Sequence, residues 1–226
     1  MKRSRAPRPV DAVLFDLDGT LIDSAQDISN CVNETLRRVG RPVIDEEIIK
    51  GFVGRGVLPL IEQAMEESVP PEGARGAGTG DAVALFMQLY ETHCLDHTRL
   101  YPGILEVLDG YAGKSLAVVT NKAEKFTLKI LEGLGVRDRF ATVLGGDSLE
   151  KKKPHPGPVL RVLERAAVRA DRAVIVGDSN IDIAAGKAAG IFTCGVLYGL
   201  RPEQEIREAG PDAIVATAGE IPAWFI

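Results

Sequence analysis

Short, nearly unbroken apolar runs separated by helical stretches constrain this chain more than any other feature. The clearest runs are residues 10–15, 116–119, 141–144 and 173–176, with weaker counterparts at 192–197 and 213–215. Runs of this length without polar alternation are expected of strands buried on both faces. Helical stretches at 123–134, 157–168 and 181–189 fall between the later runs. Strand and helix in alternation predict an α/β fold, a parallel sheet joined by right-handed crossovers. In such sheets ligands bind outside the carboxyl ends of the strands.

Between the first run and the second the pattern changes. From about residue 24 to 97 no convincing strand is visible. Instead Ile28, Val32, Leu36 and Val39 recur at helical spacing, as do Val57, Leu60, Ile61, Ala64 and Met65, then Val83, Phe86, Leu89 and Tyr90. This predicts a helical bundle at 24–97 inserted into a core made of 1–23 and 98–226, with 1–9 expected to be disordered. The segment PPEGARGAGTG at 70–80 reads as a loop between two of those helices, since neither a preceding strand nor a following lysine makes it a phosphate loop.

Composition excludes several classes. A net charge of −5 is not that of a nucleic-acid-binding surface. No run of ~18 apolar residues is present to span a bilayer. No apolar stretch follows the basic residues Lys2, Arg3, Arg5 and Arg8, so a secretory signal is not expected. Cys31, Cys94 and Cys194 are odd in number and far apart, as suits reduced thiols in a cytoplasmic protein. A monomer or homodimer is expected.

The chemistry-bearing residues cluster at strand ends. Asp16 and Asp18 lie two residues apart, so both carboxylates face one pocket while Leu17 turns away. Gly19 allows a sharp turn, and Thr20 offers a hydroxyl and an N–H to an anion. Asp178 and Asp182 follow another apolar run. Like charges at ~4 Å and an effective dielectric of ~20 repel by about 4 kcal/mol per pair. A cluster of Asp16, Asp18 and Asp178 therefore needs a cation or a shared proton, and hard oxygen ligands favour Mg²⁺. Asp182 is placed to order Asp178, a metal-bound water or a neighbouring loop. Thr120 and Asn121 close a strand and open a helix whose N–H groups suit phosphate oxygens. Lys153, in a loop stiffened by Pro154 and Pro156, is placed to neutralise charge. These roles predict that Asp16 attacks phosphorus to form an aspartyl-phosphate while Asp18 acts as acid and then base.

The stretches DLDGTLIDS (16–24), VVTNK (118–122), KPHP (153–156) and GDSNIDI (177–183) together resemble the haloacid dehalogenase superfamily of phosphohydrolases. The likeness runs over nearly the whole chain, and within the superfamily it is strongest to the phosphoglycolate phosphatase group. That resemblance implies a Rossmann-like core with an inserted, mobile helical cap. It implies a Mg²⁺-dependent phosphatase acting on a small monoester, with 2-phosphoglycolate favoured. It implies metal held by Asp16, the Asp18 backbone carbonyl and Asp178, nucleophile and acid/base roles for Asp16 and Asp18, and phosphate binding by Thr120 and Lys153. Cap loops select substrates in this family, and Arg55 in such a loop suits a substrate carboxylate. Alternatives are a relative acting on a sugar phosphate, nucleotide or pyrophosphate, a phosphomutase, and, from another class, a phospho-aspartate signalling switch.

Overall fold

Valine, isoleucine and leucine dominate the apolar runs, and a computed structural model describing residues 6–69 and 78–226 folds each of them into a strand. In chain order the strands are β1 (Ala12–Phe15), β2 (Ile22–Asp23), β3 (Arg99–Leu100), β4 (Ser115–Val119), β5 (Thr142–Leu144), β6 (Ala173–Gly177), β7 (Phe192–Val196) and β8 (Ala213–Val215). Six of them form one sheet in the order β5-β4-β1-β6-β7-β8, every neighbouring pair parallel. β1 lies between β4 and β6, with Phe15 beside Val118 and Val176. That register brings the ends of three strands together, and the chemistry collects there.

Side chains alternate across the sheet as strand geometry requires. Ala12 and Leu14 pack with Val159, Val162 and Ala185 on one face. Val13 and Phe15 turn to the other face, against Leu108, Phe126 and Ile130. The helices supplying these residues are α5 (Ile104–Gly110), α6 (Glu124–Gly133), α7 (Gly157–Ala166) and α8 (Asn180–Ala189), and α9 (Glu203–Ala209) completes the set; α1 (Ala25–Arg38), α2 (Glu46–Lys50), α3 (Val57–Glu67) and α4 (Thr79–His93) all precede them, between β2 and β3. The second apolar cluster runs without a break from the sheet into Ile28, Leu60, Phe86 and Tyr90 of that helical insert.

Two expectations need correction. Residues 1–5 lie outside the described residues, but Arg8 is tied down: its N–H donates to the Trp224 carbonyl at 2.7 Å and its guanidinium pairs with Asp212 at 3.2 Å. The C-terminal segment thus holds what reads in the sequence as a loose tail. Residues 70–77 also lie outside the described residues, whereas Thr79 and Gly80, read as loop, already belong to α4. The three cysteines are free and buried. Among the described residues no helix is long and apolar enough to cross a membrane.

β2 and β3 pair antiparallel over two residues each, where the chain leaves the core for the insert and returns. Asp27, buried in the first turn of α1, fastens the returning strand. Its carboxylate accepts from the His97 and Thr98 N–H groups, from the Thr98 hydroxyl at 2.7 Å, and pairs with His97 Nδ1. Burial disfavours its charge, but these donors win and hold its pKa below the ordinary aspartate value. Asp27→Ala is therefore expected to cost about 3 kcal/mol, because charge-assisted bonds vanish and buried donors are orphaned. A depressed carboxylate stabilises above its unfolded-state pKa and stops doing so as pH falls through the folded value. Urea melts at pH 7 and at pH 3 check this: the gap between variant and wild type should shrink in acid, and equal stability at pH 7 refutes it.

Candidate active site

The site is assembled at the carboxyl ends of β1, β4 and β6. The β1–β6 pairing continues one residue past the strand, where the Asp16 N–H donates to the Val176 carbonyl at 2.9 Å. Leu17 turns into the core, leaving Asp16 and Asp18 to line one pocket as their spacing predicts. Gly19 adopts φ +80°, and a Cβ there would lie 2.1 Å from Asp178 Oδ2. Only glycine lets β1 turn this close to the acid of β6. Asp16, Asp178 and Asp182 each present an oxygen within 4.8 Å of the others.

Lys153 answers this charge. Its buried ammonium lies 2.5 Å from Asp182 Oδ1 and 2.9 Å from Asp16 Oδ1. Burial works against the ammonium, but Asp16 and Asp182 outweigh it and hold its pKa above the ordinary lysine value. Asp16 is pushed up to about 6 by burial and by Asp182, with Lys153 opposing. Asp178 rises well above the ordinary value for the same reason, burial first and then Asp16 and Asp182. The Lys153 ammonium is the one cation in contact with Asp16 among the described residues. Four buried carboxylates (Asp16, Asp18, Asp178 and Asp182) face two buried ammonium groups (Lys122 and Lys153). With all four acids ionised two negative charges are left over, and that excess, together with the converging hard oxygens of Asp16, Asp178 and Asp182, fits one divalent cation of the Mg²⁺ type.

Several expected roles are redistributed. The third carboxylate of the cluster is Asp182, not Asp18. The Asp18 side chain is drawn aside by the Ser24 hydroxyl at 2.5 Å and Lys122 Nζ at 2.9 Å. Asp182 sits at the third position of α8 in a capping box with Ser179 and orients Lys153 with its other oxygen. Asp178 is steered instead by the Leu200 N–H, 2.7 Å from its Oδ2. Thr20 offers no free N–H, since that group donates to the Leu17 carbonyl; its buried hydroxyl is unpartnered among the described residues.

Thr120 and Asn121 line the pocket, but not as a helix cap. α6 begins at Glu124, whose N–H is taken by Asp147 Oδ1. The Thr120 N–H is used by the Leu144 carbonyl, which carries the β4–β5 pairing one residue past the strand. Its hydroxyl accepts from the Lys122 N–H at 3.2 Å. Asn121 braces the site through Nδ2, which donates to the Lys153 and Gly54 carbonyls, both at 3.0 Å.

That last contact is one of four between the core and the insert segment 51–55. Arg201 donates to the Gly51 and Val53 carbonyls, both at 2.5 Å, and Lys152 donates to the Arg55 carbonyl at 2.7 Å. Arg55 itself is exposed and lines a second groove whose walls include Asn121, Lys152 and Lys153, whereas Asp16 and Asp18 line the neighbouring pocket. The structure therefore places Arg55 on the Lys153 side of the site, outside the pocket that Asp18 lines.

It brings Lys122 instead, to which sequence reasoning gave no role. Its Nζ is 2.9 Å from Asp18 Oδ1 and 2.8 Å from the hydroxyl of Tyr90 on α4. Burial opposes the charge, yet Asp18 and Tyr90 hold the Lys122 pKa above the ordinary value. The signal available in sequence was its place directly after Thr120 and Asn121. The pocket between insert and sheet measures about 40 Å³ and is walled by Ile28, Val53, Val57, Leu60, Phe86 and Phe126.

Comparison with known proteins agrees with this geometry. The model of a family described as haloacid dehalogenase-like hydrolase matches residues 13–196. A phosphoglycolate phosphatase from Colwellia psychrerythraea is 37% identical over 214 residues, covering 93% of this chain and 95% of that protein. One from Nitrosospira multiformis is also 37% identical, covering 95% of each. The crystal structure of a predicted phosphoglycolate phosphatase from Haemophilus somnus matches with a TM-score of 0.86 at 32% identity, covering 94% of this chain and 96% of that one.

Proposed function

Because this chain belongs to the haloacid dehalogenase-like hydrolases, we propose that it hydrolyses 2-phosphoglycolate through an aspartyl-phosphate, with Mg²⁺ at its acidic cluster. The observation that carries the reading is Asp16. Its buried carboxylate stands at the end of β1, inside the sheet, grouped with Asp178 and Asp182 and 2.9 Å from the Lys153 ammonium. The names of the relatives support the substrate, since two that span nearly the whole chain are phosphoglycolate phosphatases.

The steps follow from where the groups sit. An Asp16 oxygen bonds to phosphorus as the ester P–O bond breaks, and Asp18 gives its proton to the departing oxygen. Asp18 then takes a proton from the water that attacks phosphorus, and Asp16 leaves as a carboxylate. Lys153 faces the phosphoryl oxygens, and Asp182 keeps its ammonium in place. Thr120 contributes its hydroxyl and Asn121 the bracing of the Lys153 loop. Asp16, the Asp18 carbonyl and Asp178 would hold Mg²⁺. When bound, the cation supplies positive charge against both carboxylates and phosphate. Residues 24–97 act as a cap over this chemistry, which keeps bulk water from the reacting groups.

Steady-state hydrolysis of a panel of phosphate esters tests the reading. 2-Phosphoglycolate should exceed sugar phosphates in kcat/KM by at least about tenfold. EDTA should lower the rate by at least about 100-fold, and added Mg²⁺ should restore it. A preference for a sugar phosphate overturns the substrate, and indifference to EDTA overturns the metal.

A further inference from the structure

We propose that Lys122 is the specificity residue of this site, its ammonium receiving the carboxylate of the substrate's leaving group. The inference rests on the phosphoglycolate reading above and names the group that selects for it. Phosphoryl transfer already has its lysine in Lys153. Lys122 lies elsewhere, on the Asp18 side of the pocket, with a side chain only 7% exposed.

Three observations converge on it. Lys122 is the one cation among the described residues lining the pocket, and the walls facing it are apolar. An ammonium carries three donors, and Asp18 and Tyr90 use two, which leaves one for a ligand. Reach is the third. To protonate the departing oxygen, the Asp18 carboxyl must approach it to ~2.7 Å. Lys122 Nζ is 2.9 Å from that same carboxyl. In a two-carbon acid ester the carboxylate carbon follows the ester oxygen by two bonds of about 1.5 Å each. A leaving group held by Asp18 therefore presents its carboxylate beside Lys122.

The surroundings favour this match. Apolar walls strengthen a charge pair that water would weaken. The pocket's volume of about 40 Å³ corresponds to about three waters, which suits a leaving group of a few heavy atoms. Of the other cations near the 51–55 segment, Arg55 and Lys152 line the groove on the Lys153 side, and Arg201 donates to the Gly51 and Val53 carbonyls. Tyr90 comes from α4, so recognition of the anion involves insert and core together.

The test compares 2-phosphoglycolate with 2-hydroxyethyl phosphate, which replaces the carboxylate by a neutral hydroxymethyl group. Wild type should prefer the acid by about 100-fold in kcat/KM, the worth of one charge-assisted contact in apolar surroundings. Lys122→Gln retains donors for Asp18 and Tyr90 but loses the charge, and should cut that preference at least about tenfold. A merely structural role would slow both esters alike and leave the ratio unchanged, which overturns the assignment. A second measurement needs no variant: glycolate should inhibit wild-type hydrolysis of p-nitrophenyl phosphate at least about tenfold more strongly than ethylene glycol does. Equal inhibition overturns the assignment too. Turnover of both esters at equal rates by wild type sinks the role of Lys122 alone. Turnover of neither, with another phosphate ester hydrolysed well, sinks the substrate reading and the inference with it.

Discussion

Asp16→Asn is expected to lower turnover by at least ~10⁴-fold and, in metal-free buffer at pH 7, to make the protein more stable than wild type. The first effect follows from removing the nucleophile, since groups that act as a unit fail together. The second follows from the electrostatics. Burial and Asp182 lift Asp16 from 3.8 to about 6. The folded state then binds more protons than the unfolded state between about pH 4 and 6, so stability falls as pH rises through that window. A lift of this size corresponds to about 3 kcal/mol of strain from the ionised carboxylate at neutral pH. Asparagine removes the charge and the strain. Urea melts should show the variant ahead at pH 7 and level with wild type near pH 4. Added Mg²⁺ should raise the midpoint of wild type more than that of the variant. A destabilised variant, or one that still turns over substrate, contradicts the assignment of Asp16.

Lys153→Met is expected to fail in both respects. Its ammonium contacts Asp16 at 2.9 Å and Asp182 at 2.5 Å, all three groups buried. Removing one partner of a buried ionic set typically costs about 3–5 kcal/mol, because the charges left behind have neither water nor a counter-ion. Activity should fall at least ~10³-fold, as the phosphoryl oxygens lose their fixed cation. Part of the lost stability should return as pH falls through about 6, where Asp16 takes up a proton even with Lys153 opposing it. Thermal melts of the variant at pH 7.5 and pH 5 decide the point: equal losses at both would mean that packing, not charge, accounts for them.

Much of this architecture is visible in the amino-acid order alone because its causes are local. Each sheet strand is an apolar run, and Asp16, Thr120 and Asp178 each stand just past the end of one. What escapes notice depends on partners distant in the chain. Lys122 meets Asp18 across 104 positions and Tyr90 across 32, and a lone lysine after a strand carries no sign of burial. Arg55, between two glycines, lines the groove beside Lys153 and not the pocket beside Asp18, a distinction that depends on how the insert packs. Asn121 has the chemistry of a helix cap, but α6 begins three residues later, and its amide is spent on Lys153 and Gly54. β2 and β3 are too short for an alternating pattern, and α9 buries only Ile206, so neither leaves a periodic trace.

The grip on residues 51–55 has a bearing on how such a protein changes over generations. Arg201, Asn121 and Lys152 hold main-chain oxygens there, and main-chain oxygens are the same whatever amino acid carries them. Drift at Phe52 or Arg55 can thus change the side chains this segment presents without unfastening it from the sheet domain.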